Sequence, residues 1–137
     1  MSQGNVDVVL RLHAAFNRGD LEGILAEWHP EGVYHAAITQ VVEGEEGAFH
    51  GHAGFRRWWH DLEDLYSGLN SELLEVRDLG DQVLTVLLIR GRGKGSGIYV
   101  PEGFELTQLF TVRDGKITEA RDYFSRDEAF GVAGLSE

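Results

Sequence analysis

Three stretches of the chain carry apolar residues at the three- and four-residue spacing of an amphipathic helix. The first covers residues 5–17, the second begins after Asp20 and runs to Trp28, and the third covers residues 53–66. Asn5 and Asp20 are suited to cap the first two helices, because their side chains accept hydrogen bonds from free backbone N–H groups. Pro30 is expected to stop the second helix. The pattern predicts three helices in the first half of the chain.

The second half of the chain has the alternating pattern and the turn residues of β-strands. A short strand is predicted already at residues 31–37, followed by a segment at 39–51 that is punctuated by glycines and is expected to be a loop or a loop with a ragged strand pair. Three strands in meander order are expected after the third helix, at 71–79, 82–92 and 98–112, with the glycine-rich segment 91–97 as a turn or a bulged bend. Ser125 and Glu128 form a capping box for a last short helix that ends near Gly134.

Residues 104–124 read as two strands joined by a tight turn, and the length of that turn decides which side chains share a face. A two-residue loop would pair Val112 with Ile117 and mix charged and apolar groups on both faces. A three-residue loop with Gly115 in a left-handed bulge pairs Val112 with Lys116. This register separates the charged from the apolar groups better. We therefore predict the second register, which gives one mainly apolar face: Phe104, Leu106, Gln108, Phe110, Val112, Thr118, Ala120, Asp122 and Phe124.

Gln108 and Asp122 are the strongly polar side chains on that apolar face. A carboxylate in such a place is a functional group, or else the register is wrong and Asp122 is a solvated strand residue. Burial among apolar neighbours would raise the pKa of Asp122 above its reference value of about 3.9, which suits a base that works near neutral pH.

Residues 83–89 carry apolar side chains on both faces of their strand, so the strand is expected to be buried on both sides. Helices that precede a run of antiparallel strands indicate an α+β domain with the helices on one face of the sheet. The other face would then need a different cover. A second copy of the chain is the simplest candidate, and the sequence predicts a homodimer through the outer face of the sheet.

Composition limits the classes of function further. The chain of 137 residues suits a single domain over residues 1–137, and its formal charge of −11 argues against nucleic acid and anionic membranes as partners. The absence of cysteine excludes disulfides and thiol nucleophiles. We see no signal peptide and no membrane-spanning run, and expect a cytoplasmic protein. His50 and His52 lack a carboxylate cluster nearby, so neither a metal nor a cofactor is predicted.

The order of elements and several local segments resemble the NTF2-like superfamily, in its SnoaL-like branch. The matching segments are FNRGD at 16–20, HPEGVYH at 29–35, GHAGFRRWW at 51–59, RDGKI at 113–117 and the close of the chain at 128–135. The resemblance implies a cone-shaped, cystatin-like α+β fold. In that fold three N-terminal helices pack on a curved, mostly antiparallel sheet around an internal cavity.

The resemblance also implies where acid–base groups would lie. His35 occupies the place of the aspartate base of ketosteroid isomerases and Gln108 that of their protonated aspartate, while His13 and its neighbour replace the oxyanion tyrosine. The isomerase pattern is therefore broken. Epoxide hydrolases of this fold need a second carboxylate where Gln108 stands. SnoaL-type cyclases, which use an aspartate on the last strand, are the best match, with Asp122 in that position.

We therefore expect an enzyme that abstracts a proton next to a carbonyl group in a small apolar substrate, or a non-catalytic protein that binds such a ligand. The candidate catalytic residues are Asp122 or His35 as the base and Gln108 as the hydrogen-bond donor to the enolate. His35 could also be a hydrogen-bonded wall residue, Gln108 a satisfied buried amide and His13 a core histidine. The candidate binding residues are His13, Trp28, Tyr34, Phe55, Trp59, Leu106, Phe110, Ala120 and Phe124.

Overall fold

A computed structural model describes residues 2–36, 48–93 and 99–134 of the chain. Within these residues it contains four helices and six strands. The helices are α1 (Ser2–Arg18), α2 (Leu21–Glu27), α3 (Gly51–Leu65) and α4 (Arg126–Ala133). The strands are β1 (Trp28–His35), β2 (Ala48–His50), β3 (Tyr66–Asp78), β4 (Gln82–Gly93), β5 (Tyr99–Arg113) and β6 (Lys116–Tyr123). Most of the predicted loop at 39–51 and of the glycine-rich turn lies outside the described residues.

The six strands form one mixed sheet in the order β2-β1-β6-β5-β4-β3. The pair β1–β6 is parallel and the other neighbouring pairs are antiparallel. Helices α1, α2 and α3 pack on one face of this sheet, and the main cluster of buried apolar residues lies between the two layers. The predicted α+β class and mostly antiparallel sheet are confirmed.

One boundary differs from the prediction around Trp28. The second helix ends at Glu27, and Trp28 begins β1, so Pro30 lies within a strand instead of stopping a helix. Asp20 caps α2 as predicted, since its side chain accepts a hydrogen bond from the backbone N–H of Gly23 at 3.0 Å. Trp28 remains buried in its new element, because the first residue of β1 faces the helices.

The turn between β5 and β6 also differs from the prediction. Asp114 and Gly115 both have positive φ (51° and 76°), which is the geometry of a two-residue hairpin loop. Val112 therefore pairs with Ile117, not with Lys116. The register then shifts between Thr111 and Val112, where the opposite strand carries one additional residue.

This bulge restores the predicted facing of the residues farther from the turn. Beyond it Phe110 pairs with Ala120 and Gln108 with Asp122, so all four share the face that packs against the helices. The predicted loop was wrong by one residue and the bulge compensates for that residue. Ile117, which the predicted register did not place on that apolar face, is fully buried in the core.

The outer face of the sheet is covered in part by α4 from the same chain. Ser125 caps this helix by accepting a hydrogen bond from the N–H of Glu128 at 3.2 Å, as predicted. The helix buries Phe130 against an apolar patch that includes Leu84 and Val86 of β4, both of which have no measurable exposure. The expectation that helices cover only one face was wrong. Since a second copy is not needed to bury this patch, the homodimer loses its premise and stays a prediction.

The outer face beside α4 carries ion pairs. Arg126 bridges Glu75 and Glu105 at 3.8 and 3.0 Å, and Arg90 pairs with Glu72 at 3.3 Å. Exposed ion pairs contribute little stability, but they make this part of the face polar. The described part of the outer face is therefore not a continuous apolar surface.

Candidate functional site

A row of polar side chains crosses the helix-facing side of the sheet. Thr85 of β4 lies directly opposite Gln108 of β5, and Gln108 lies directly opposite Asp122 of β6. Alternate residues of a strand share a face. Thr85, Gln108 and Asp122 are aligned across three strands, and the residues two positions away on each strand are mainly apolar. The sequence therefore builds a local polar site on an otherwise apolar wall.

Asp122 is the centre of a buried hydrogen-bond network. The residue is buried, with only 8% of its surface exposed. Oδ2 accepts a hydrogen bond from the Tyr34 hydroxyl at 2.7 Å, and Oδ1 accepts one from Nε2 of Gln108 at 2.9 Å. Tyr34 reaches the carboxylate from β1, where it pairs with Ala120 two residues before Asp122. The carboxylate is thus held by donors from two different neighbouring strands.

Tyr34 is the proton donor of this network. Burial raises its pKa well above the usual value for tyrosine, and the charge of Asp122 and the hydrogen bond to it act in the same direction, while a hydrogen bond with Gln108 acts against them. A phenolate next to a buried carboxylate is unfavourable because the like charges repel in a poorly solvated site. Tyr34 therefore keeps its proton on the side of Asp122.

The raised pKa of Tyr34 predicts a loss of stability at alkaline pH. Above about pH 10 the unfolded chain releases this proton while the native protein holds it, so the native state binds more protons and the free energy of unfolding falls as pH rises. The slope from this group is about 1.4 kcal/mol for each pH unit until its pKa in the native protein is reached. We expect Tyr34→Phe to flatten the decline seen in urea unfolding between pH 9 and pH 11.

Tyr66→Phe is the matched control. Tyr66 is partly exposed, and no hydrogen bond to a carboxylate is described for its side chain. Equal slopes for wild type and Tyr34→Phe would contradict the assignment of Tyr34 as a buried donor.

Between the sheet and the helices lies a cavity of about 70 Å³. Its wall is mainly apolar and includes polar side chains from α1 and from four strands. Gln108 and Tyr34 are part of the wall, whereas Asp122 is not among its residues and lies behind them. The predicted site residues that the cavity brings together are Gln108, His13, Trp28, Tyr34, Phe55, Leu106 and Phe110.

His13 lies on the α1 side of the cavity. Its Nε2 is hydrogen-bonded to the hydroxyl of Ser71 on β3, and burial lowers the pKa of the imidazole. The side chain of Asn17, one turn farther along α1, both donates to the backbone oxygen of Ser71 and accepts from its backbone N–H, each at 2.9 Å. His13 is therefore a neutral wall residue with a defined partner, which agrees with the alternative reading of its sequence position.

His35 does not reach the cavity. Adjacent residues of a strand point to opposite faces, and Tyr34 takes the inward position. His35 lies opposite Arg121 in the sheet and its Nε2 is 3.3 Å from a carboxylate oxygen of Glu119. The prediction that His35 and Asp122 serve the same cavity is wrong. Because Tyr34 and His35 are adjacent on one strand, they could not both face the cavity.

Three other predicted wall residues lie elsewhere. Ala120 is fully buried in the core but is not part of the cavity wall. Phe124 follows β6 and is 55% exposed, with its ring 6.2 Å from that of Phe104, so its predicted inward position was wrong. Trp59 is partly buried in the middle of α3 and lines a separate depression of about 370 Å³.

That depression adjoins the cavity. Phe16, Leu62 and Leu69 belong to both walls, so these three side chains separate the buried cavity from the surface. A cavity that holds a benzene molecule measures about 150 Å³, which is larger than the volume here. A ring-sized ligand would therefore need these side chains to move, or would have to extend into the depression.

Two residues of the cavity wall, Trp58 and Thr85, were not predicted from the sequence. Trp58 packs edge-to-face on Tyr34 with 5.1 Å between ring centroids, and Thr85 joins the polar row. The indole N–H groups of Trp28 and Trp58 and the hydroxyl of Thr85 are buried without a hydrogen-bond partner among the described residues. The signal for Thr85 was present, because it is the polar residue within the otherwise apolar run at 83–89.

The described residues contain no group of three or more histidine, aspartate or glutamate side chains placed to hold a metal ion. None of their helices has the length and apolarity to cross a lipid bilayer.

Comparison with known proteins relates the chain to one family. The sequence model described as "SnoaL-like domain" matches residues 9–120. No curated protein matches the chain in sequence.

Solved structures share the fold over nearly the whole chain. TerC, co-crystallised with polyporic acid, has a TM-score of 0.78 at 24% identity, covering 96% of this chain and 98% of its own. An NTF2-like protein of unknown function from Burkholderia pseudomallei has a TM-score of 0.79 at 18% identity, covering 95% and 97%. A candidate polyketide cyclase from Sinorhizobium meliloti has a TM-score of 0.67 at 24% identity, covering 85% and 94%. At these identities the likeness concerns the fold alone, which hosts many functions.

Proposed function

The chain belongs to the SnoaL-like domain family, and from this premise we propose that it is an acid–base enzyme acting on a small, mainly apolar carbonyl compound in the cavity. The observation that carries the proposal is the buried carboxylate of Asp122, which accepts hydrogen bonds from two side chains of the cavity wall. Buried carboxylates beside a ligand cavity are common among general bases. The cyclase-type structures of the same fold and the complex of TerC with polyporic acid support a carbonyl-bearing ligand.

In the proposed reaction Asp122 is the final proton acceptor and Tyr34 connects it to the ligand. The C–H bond next to the ligand carbonyl breaks, its proton passes to the oxygen of Tyr34, and the hydroxyl proton of Tyr34 moves to Oδ2 of Asp122. Tyr34 is neutral before and after the step, which agrees with its raised pKa. The electron pair of the C–H bond moves onto the carbonyl oxygen, where a hydrogen bond from Gln108 would stabilise the enolate.

The test is deuterium uptake from D₂O next to the carbonyl group in a panel of small cyclic ketones, followed by NMR. We expect wild type to accelerate uptake by at least one ketone about 10²-fold or more over buffer, which is the range of positioned acid–base catalysis. Asp122→Asn should remove this acceleration because the amide cannot accept the proton. His35→Gln is the control and should leave the rate unchanged, since His35 lies on the other face of the sheet.

The second candidate function is ligand binding without turnover. It is favoured by the position of Asp122 behind the cavity wall instead of in it. If the ketones perturb the NMR signals of the cavity residues but none exchanges faster than in buffer, the protein is a binding module and the enzymatic proposal fails.

A further inference from the structure

The hydroxyl of Thr85 is placed for a ligand that the structure does not hold. Thr85 lies in the cavity wall, is 2% exposed, and its Oγ1 has no hydrogen-bond partner among the described residues. A buried hydroxyl without a partner is unfavourable, and native proteins contain few of them. Such a group in a cavity wall is explained if a bound molecule supplies the partner.

A second threonine on the same sheet lacks this opportunity. Thr107 is fully buried and its Oγ1 also has no partner among the residues described. It lies opposite Val86 and Tyr123 on the outer face, away from the cavity wall. The two threonines therefore share burial and an unpaired hydroxyl, and differ in access to the cavity.

The surroundings of Thr85 indicate which ligand group would meet it. Gln108 lies directly across from Thr85, and its amide is held in place by Asp122. The neighbouring wall residues are the apolar side chains of Leu87, Leu106 and Phe110. This arrangement suits a ligand with one oxygen atom at this point and an apolar body around it.

We propose that Thr85 is a binding residue whose hydroxyl donates a hydrogen bond to a carbonyl, enolate or phenolic oxygen of the ligand. The inference rests on the cavity being the ligand site of the proposed function, but it does not require turnover. It adds Thr85 to Gln108 as a second donor for the oxygen that carries the developing charge. The preferred ligands are therefore small apolar compounds with one oxygen substituent rather than hydrocarbons.

The test compares phenol with toluene, which differ by a hydroxyl in place of a methyl group. Dissociation constants are measured by NMR from the indole N–H signals of Trp28 and Trp58, both of which lie in the cavity wall. The quantity of interest is the ratio of the two constants, phenol over toluene, because effects of hydration and cavity shape largely cancel when this ratio is compared between variants. Thr85→Val should raise the ratio about three- to tenfold, as expected for one lost hydrogen bond.

Two further variants make the result specific. Thr107→Val makes the same change on the outer face and should leave the ratio unchanged. Thr85→Ser keeps the hydroxyl and should restore most of the preference for phenol. Because valine has nearly the shape of threonine and removes an unpaired buried hydroxyl, neither valine variant is expected to unfold the protein.

The proposal is overturned if Thr85→Val leaves the ratio unchanged, if Thr107→Val raises it as much, or if wild type binds neither probe. An unchanged ratio would mean that water or no molecule at all meets the hydroxyl. A shifted ratio without any ketone exchange would sink the enzymatic proposal and leave this one standing. If the ketones exchange and Thr85→Val alters neither this exchange nor the ratio, the proposal for Thr85 fails and the enzymatic proposal stands.

Discussion

Replacing Asp122 with leucine is expected to lower the free energy of unfolding by about 2–6 kcal/mol, because it leaves the buried donors of Tyr34 and Gln108 without their acceptor. Each such orphaned group costs about 1–3 kcal/mol. This is a large share of the 5–15 kcal/mol that typically holds a domain folded. Urea unfolding at neutral pH measures the change.

Asp122→Asn is the matched control for this prediction. Asparagine keeps one oxygen to accept from Tyr34, and its new N–H can donate to the oxygen of Gln108 if that amide turns by half a rotation. We therefore expect Asp122→Asn to unfold close to wild type while losing catalysis. If leucine is tolerated as well as asparagine, Asp122 is not the acceptor that holds this network together.

Replacing Phe130 with alanine is expected to cost about 3–5 kcal/mol, the range for truncating a large buried aromatic side chain. Phe130 is 3% exposed on the patch formed by β4, β5 and β6, and the guanidinium of Arg77 lies 4.6 Å from its ring centre. Its loss opens the apolar outer face of the sheet to water. Urea unfolding measures the cost, with an unchanged m-value as evidence for a two-state transition.

Val132→Ala is the control on the same helix, because Val132 is 62% exposed and should contribute less than about 0.5 kcal/mol. A small effect of Phe130→Ala would mean that α4 does not hold this position in solution. The outer face would then be free for a second copy, and light scattering would have to reveal a dimer.

The sequence was sufficient for most of the elements and for the facing of the two central polar residues, whereas β2 lies within the segment that was predicted as a loop or a loop with a ragged strand pair. Gln108 and Asp122 were predicted on one apolar face from the segregation of charge along the hairpin, and they are direct neighbours there. The loop itself was misjudged because charge segregation depends only on odd or even register. A two-residue loop with a bulge and a three-residue loop have the same parity, so the pattern cannot distinguish them.

The side chains that complete the site could be predicted only in part. Tyr34 and His35 could each serve as an acid–base group, and the sequence does not show which of them faces the cavity. That orientation depends on where β1 begins, and therefore on whether Trp28 ends a helix or begins a strand. The cover of the outer face was missed because α4 is only eight residues long. Its two buried residues, Ala129 and Phe130, are adjacent and give no helical stripe.

The contact between Asn17 and Ser71 has a consequence for how the protein behaves among its copies. Strand β3 is at the edge of the sheet, where free backbone N–H and C=O groups can recruit a strand from another molecule. Asn17 occupies both backbone groups of Ser71 with its single side-chain amide, so at this residue the edge is closed to a foreign strand. Asn17 thereby blocks the addition of a strand from another molecule at this residue. We expect a substitution at Asn17 to lower the solubility of the protein as well as the stability of its fold.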